Sequence, residues 1–335
     1  MSNPILVEIL RGDRIESAHR GAVAVCDEAG KLLVEIGDVS QAVFPRSAVK
    51  SIQALPLVES GAADAFGFDD RKLALACASH RGETAHAELA AEMLAAAGHE
   101  ESALECGAHW PFNQDATVEL ARSGRTPSQL HNNCSGKHSG FVCTCTHLKL
   151  DHRGYTGFDH PMQGLIREAM QDVTGAVHDS GNSAIDGCSI PTHAIPINSL
   201  AFGFARMATG KGLSPDRAKA AKRLFAACMA EPFFVSGSDV ADLPLVRAAP
   251  GRIFLKSGAE GVYCAALPEL GLGIALKCDD GAGRAGEAMV AAVLARLLAS
   301  DAALSATLAD MARPVVPSRR GVSVGRIQPT GPLAG

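Results

Sequence analysis

The chain has 335 residues, 47% of them hydrophobic and 20% charged, with a formal net charge of −5. That is enough for a substantial core, and the acidic balance argues against a nucleic-acid surface. No uncharged apolar run is long enough to span a bilayer, and Met1-Ser2-Asn3-Pro4 lacks the basic and apolar regions of a signal peptide. Ten cysteines are too sparse for a disulfide scaffold, so reduced thiols and a cytoplasmic location are the expectation.

Residues 5–10 read as a strand, and residues 21–26 and 31–36 as a hairpin closed by Asp27-Glu28-Ala29-Gly30. Pro45-Arg46-Ser47-Ala48-Val49-Lys50 follows and reads as a helix start, with Ser47 capping the first turn. Val49, Ile52, Leu55 and Val58 recur at a spacing near three and predict one buried face. Ser47 and Lys50 are then neighbours on the same helical face. A serine hydroxyl attacks well only when a base takes its proton, and a lysine amine can do so only if its surroundings keep it neutral. Alone, the pattern also fits a capping serine followed by a surface lysine.

From about residue 70 to 130 the period is helical, with helices over about 85–97, ended by Gly98, and 116–122. His131 to His138 crowds polar residues and a cysteine ahead of an apolar run, more than a linker requires. Helices are expected near 158–173 and from Ser214-Pro215 to about 229. Strands are expected near 252–256, 261–267 and 271–278, then a helix over 284–299 and an extended or mobile tail. The expected fold class is α/β of the α+β kind: an antiparallel sheet from both chain ends, flanked by helices, with a helical lobe inserted. As a single domain of residues 1–335, the approximate lobes are 1–65 plus 250–315 for the sheet and 66–249 for the mainly helical part.

Three motifs stand in order: Ser47-Ala48-Val49-Lys50, then Ser79 in Cys77-Ala78-Ser79-His80, then Lys256-Ser257-Gly258 at a strand end. The order resembles the serine β-lactamases and penicillin-binding proteins, which carry Ser-x-x-Lys, Ser-x-Asn and Lys-Thr/Ser-Gly. Here Arg81 stands where that family has Asn, which breaks the second motif. The resemblance to the rhizobial-type (thermolabile, asparaginase II-like) L-asparaginases is closer. It is carried by residues 44–50, Ala78-Ser79-His80, residues 131–138, Asp186-Gly187-Cys188 and residues 256–261. It implies the β-lactamase/penicillin-binding-protein-like architecture and hydrolysis of L-asparagine to L-aspartate and ammonia. Ser47 would be the nucleophile and Lys50 its base. Ser79 and Lys256 would form a second Ser–Lys pair that relays protons.

The same resemblance implies a Zn²⁺ site at Cys134, Lys137 and Cys188, tuning affinity or loop order rather than carrying the nucleophile. Two thiolates suit zinc, whereas spacing alone would favour His138 over Lys137 as third ligand. Free thiols in a pocket wall and a Cys134–Cys188 disulfide stay open as alternatives. An amino-acid substrate needs an anion for its ammonium and donors for its carboxylate: Asp186 is the candidate anion, and Arg46 and His138 the candidate donors. Cys26, Cys106, Cys228, Cys264 and Cys278 read as small buried hydrophobes. The family suggests a homodimer. Two other activities fit these residues, a glutaminase on the same fold and a β-lactamase-like sensor that binds or acylates without turnover.

Overall fold

The computed structural model describes residues 2–334. The chain divides into two compact units, Met1–Ala48 with Ile195–Ala205 and Pro244–Gly335, and Val49–Ala194 with Arg206–Leu243.

The first unit is built on an antiparallel sheet, eight-stranded among the described residues. Its path runs Val315–Pro317, Ser323–Pro329, Ile5–Arg11, Arg14–Asp27, Leu272–Cys278, Val262–Leu267, Phe254–Gly258. The strand Arg14–Asp27 joins the two chain ends. Its first half pairs with Ile5–Arg11 (His19 opposite Val7), and its second half with Leu272–Cys278 (Cys26 opposite Gly273) and with Leu32–Ile36. One long central strand therefore joins two halves of a sheet that sequence order would otherwise separate. Gly273 lets a helical segment sit on this sheet, because a Cβ there would meet the Ala201 carbonyl oxygen and the Ala205 nitrogen. The helix Gly283–Leu297 covers it as well, and Ala285, Gly286, Ala288, Ala291 and Ala295 among its buried residues are small enough to permit a close approach.

Two expectations change here. Residues 14–20 belong to the sheet, which their polar, exposed sequence did not signal. The tail is extended but not loose: Ser323–Pro329 pairs with the first strand, Val7 opposite Pro329. Gly335 lies outside the described residues.

The second unit is helical. Helix Thr84–Ala96 ends in Ala97 and a left-handed Gly98, and helix Pro215–Ala230 starts from Ser214, whose hydroxyl accepts from the Arg217 amide. Residues 131–147 are not a loop with an apolar run. Helix Ser135–His147 begins inside the polar cluster, and Ser135 to Cys145 are all buried. Its first turn lies so close to helix Asp70–Ala76 that a Cβ on Gly136 would collide with the Leu75 carbonyl oxygen. The hairpin Ser183–Ile185 with Pro191–His193 carries Asp186, Gly187 and Cys188 in its turn. No helix among the described residues is long and apolar enough to cross a membrane.

The segment after Pro45 is also not one helix. Arg46–Val49 is a 3₁₀ turn, followed by the short helices Lys50–Gln53 and Leu55–Glu59. Pro56 accounts for the new start, since its ring suits a first helical turn and not an interior. Ser47 caps no helix. The expected single buried face is also wrong, because every residue from Ala48 to Leu57 is buried. The apolar period of three was real, but small and polar residues between its members are enclosed too.

Candidate active site

In the first unit, Ser47 sits half-buried in the 3₁₀ turn directly after Arg46. Arg46 adopts φ +51°, a left-handed conformation uncommon for a residue other than glycine and held there by local constraint. Strand Phe254–Gly258 ends beside this turn: a Cβ on Gly258 would strike the Pro45 carbonyl oxygen and lie 3.1 Å from the Ala48 nitrogen. The Gly of Lys256-Ser257-Gly258 is thus a spacing device that lets the strand end approach the serine turn. Lys256 itself is 0% exposed, and its Nζ donates to the Ser257 carbonyl at 2.7 Å.

In the second unit, Lys50 opens its short helix three residues after Ser47 and is 1% exposed. Its Nζ donates to the Ala78 carbonyl, to Ser79 Oγ at 2.9 Å and to Cys134 Sγ at 3.1 Å. Ser79 lies in the extended stretch after helix Asp70–Ala76, fixed by its amide donating to the Val235 carbonyl at 2.9 Å. Lys137, also 1% exposed, donates to Cys188 Sγ at 3.1 Å. The Cys134 and Cys188 thiols influence each other's ionisation in opposite senses. The Cys188 thiol, then the Lys50 and Lys137 charges, pull Cys134 well below the ordinary thiol range against burial, and Cys188 is pushed up by Cys134 and by burial. The two sulfurs are thus held against the two buried amines, Cys134 against Lys50 and Cys188 against Lys137. Burial pulls Lys137 down, but the thiols and Asp186 outweigh it and its pKa is raised. Cys188 is followed by Ser189 at φ +76°, a second left-handed residue other than glycine, which shapes the hairpin turn.

His138 is fully buried next to this group and kept neutral by burial, reinforced by the Lys137 and Lys50 charges. Its Nδ1 meets Tyr155 Oη at 2.6 Å, and its Nε2 is buried without a hydrogen-bond partner among the described residues. It is one of five such atoms among the described residues, and it adjoins the buried amines and thiols, where a bound ligand is an available partner. Asp186 is partly exposed, and its carboxylate accepts from the Gly187 amide at 2.7 Å.

Two residues of this site escaped the sequence. His80 was seen only as part of a motif. Its Nδ1 accepts from the Gly82 amide at 3.1 Å, its Nε2 meets Ser135 Oγ at 2.9 Å, and its amide donates to the Asn133 carbonyl. It ties the Ser79 stretch to the start of the helix that follows Cys134. Tyr155, one of two tyrosines, stands seventeen residues after His138 in a polar loop, and nothing in its local sequence marks it.

The five thiols read as small hydrophobes are buried as expected, and burial pushes Cys26 up to about 11 and Cys106 up to about 12. In the first unit His19, Asp280 and Cys278 also cluster, within reach of a common ion. Their side chains are already spent on one another: His19 Nδ1 meets Asp280 Oδ2 at 2.6 Å, and Cys278 Sγ donates to Asp280 Oδ1 at 3.0 Å.

Buried amines held against hydroxyl and thiol groups are costly to enclose, and such groups cluster at functional sites. Residues 7–329 match the sequence model described as L-asparaginase II, and the chain belongs to that family, whose class is hydrolase. A search of the curated proteins finds no match. Among solved structures the chain is similar to a β-lactamase from Mycobacterium bovis, at 15% identity over 78% of this chain and 88% of that one, with a TM-score of 0.42. It is also similar to the protein called Mglu, at 18% identity over 85% of this chain and 67% of that one, TM-score 0.37. Mglu in its glutamate form gives 18% identity, 85% and 61% coverage, and a TM-score of 0.38.

Proposed function

We propose that this protein hydrolyses L-asparagine to L-aspartate and ammonia through Ser47. The observation that carries the reading is Lys50, a buried amine three residues after Ser47 whose donors meet Ser79 Oγ and Cys134 Sγ. In this reaction Ser47 Oγ attacks the side-chain amide carbon and its proton passes to Lys50. The tetrahedral intermediate collapses, the C–N bond breaks, and the nitrogen leaves as ammonia with the proton that Lys50 took, handed on through Ser79 and Lys256, the second Ser–Lys pair, so that all three groups return to their starting state. Water then attacks the aspartyl ester, its proton returning to Ser47, and aspartate departs. The α-ammonium is assigned to Asp186 and the α-carboxylate to Arg46 and to the open Nε2 of His138.

Cys134, Cys188 and Lys137 fit a zinc ion as donors: two buried thiols, that of Cys134 held below the ordinary thiol range, with an amine 3.1 Å from the Cys188 sulfur. Bound there, Zn²⁺ would supply charge that orders the hairpin turn and the start of helix Ser135–His147. The proposal gives it no part in bond making. Removing zinc with a chelator is accordingly expected to raise KM and lower kcat by less than about tenfold, far short of losing a nucleophile. Metal analysis with ammonia assays before and after chelation checks this; loss of turnover as deep as that of a Ser47 variant would overturn the peripheral role.

The test of function is ammonia release from L-asparagine by the purified protein, with L-glutamine in parallel. One methylene separates the two, worth about 1–3 kcal/mol in a fitted pocket. Release favouring asparagine supports the proposal, release favouring glutamine reassigns the substrate, and a stable adduct on Ser47 without ammonia makes the protein a sensor. The protein acts on a small molecule, as its family does, and the cytoplasm and a homodimer are its proposed setting.

Gly258→Ala should damage both fold and activity. The added carbon must push the Pro45–Ala48 turn away, costing about 1–3 kcal/mol as overpacking. A displacement near 1 Å at Ser47 is expected to lower kcat/KM about a hundredfold. Denaturant unfolding and steady-state kinetics measure the two parts; wild-type values in both would show that the close approach is not needed.

A further inference from the structure

Tyr155 is the best-supported feature that the proposed reaction leaves unused. Its side chain is fully enclosed, and its Oη has two polar neighbours. The Glu105 amide donates to it at 2.9 Å, and His138 Nδ1 stands 2.6 Å away. The hydroxyl thus already accepts one hydrogen bond, and its own proton has one acceptor to go to, Nδ1. If instead Nδ1 carried the proton and donated to Oη, the tyrosine proton would be stranded in the interior, and Nε2 would hold a buried lone pair. That arrangement orphans two groups where the first orphans one.

We propose that Tyr155 is a positioning residue that fixes the His138 imidazole as its Nε2–H tautomer and so presents a buried donor to a substrate oxygen. The Glu105 amide holds the hydroxyl, the hydroxyl holds Nδ1, and the ring has no freedom to turn the other way. The Glu105 carboxylate completes the support: it accepts from the Gly154 amide at 2.6 Å and from Thr156 Oγ1 at 2.9 Å, which sets the loop carrying Tyr155. The chemistry on offer is a single neutral N–H in an enclosed place. That selects an acceptor such as a carboxylate or carbonyl oxygen and rejects an ammonium. The assignment of that oxygen to the asparagine α-carboxylate rests on the function proposed above; the tautomer does not.

The direct test is nitrogen NMR on protein with ¹⁵N-labelled histidine, the His138 signals being those lost in His138→Gln. The expected result is a protonated Nε2 and an unprotonated, hydrogen-bonded Nδ1 in the wild type, and a mixture of tautomers in Tyr155→Phe. A protonated Nδ1 in the wild type overturns the proposal without any variant having to fold. Kinetics provide the second arm. Tyr155→Phe is expected to raise KM for L-asparagine about tenfold while kcat moves less than about threefold. In a His138→Gln background, where an amide NH₂ replaces the tautomer-dependent donor, the same substitution should change KM less than about twofold. Equal effects in both backgrounds would make Tyr155 a packing residue only. A protein with the expected tautomer that releases no ammonia sinks the asparaginase reading alone; ammonia release with a protonated Nδ1 sinks the positioning role alone.

Discussion

Ser47→Ala is expected to lower ammonia release from L-asparagine by about three to six orders of magnitude, the scale on which removal of a hydroxyl nucleophile acts. Ser47 is half-buried in a 3₁₀ turn and caps no helix, so deletion of one oxygen should leave unfolding free energy within about 1 kcal/mol of wild type. That separation matters, because a variant that lost both activity and fold would say nothing about chemistry. The acyl-enzyme provides a second readout. Hydroxylamine competes with water for an aspartyl ester, so the wild type should form aspartyl hydroxamate from asparagine and Ser47→Ala should form none. Full activity in Ser47→Ala would keep the reaction and move the nucleophile, with Ser79 next to test, since its hydroxyl already sits 2.9 Å from the Lys50 amine. Hydroxamate formation without Ser47 would argue for direct attack on bound amide.

Periodicity located the structure of this chain unevenly. The hairpin, the three C-terminal strands and the helix near 284–299 were legible because their alternation and turn residues are local. The strand Arg14–Asp27 was only half legible: its polar first half gains its partners from Ile5–Arg11 and lies near no buried apolar stripe of its own. The Ser47 segment misled in a more instructive way. A spacing of three suggested one exposed and one buried face, but this stretch is enclosed on all sides, and no sequence pattern distinguishes a helix with one buried face from two short helices walled in by distant chain. The polar crowd at 131–138 gave no helix signal for a related reason. Its residues hydrogen-bond Lys50, Cys188 and Tyr155, so they can be helical and buried while looking like a solvated turn. Tyr155 and Glu105 act through contacts between segments far apart in sequence, which a single chain does not display.

Lys50→Met and Lys50→Arg should separate the two things this amine does. Methionine fills a similar volume and removes both the charge and the proton acceptor. Turnover is expected to fall about 10²- to 10⁴-fold, the usual worth of a positioned base. Cys134 should respond as well, because the Lys50 charge and hydrogen bond are among the causes that hold its thiol low. A group whose folded pKa is depressed by a partner titrates at higher pH when the partner is lost. In metal-free protein, the pH at which thiolate absorbance appears should therefore move up in Lys50→Met. Arginine keeps a positive charge beside the sulfur but cannot act as a base, since guanidinium does not lose its proton in proteins. Lys50→Arg should leave the thiolate midpoint near wild type and still be as slow as the methionine variant. If it turned over at close to the wild-type rate, Lys50 would be acting through its charge alone, and the proton from Ser47 would need another acceptor. Near-wild-type turnover in Lys50→Met would remove Lys50 from the mechanism entirely. Loss of activity in both variants, with the thiolate shifted only in methionine, is the outcome that assigns Lys50 as base to Ser47 and as counter-charge to Cys134.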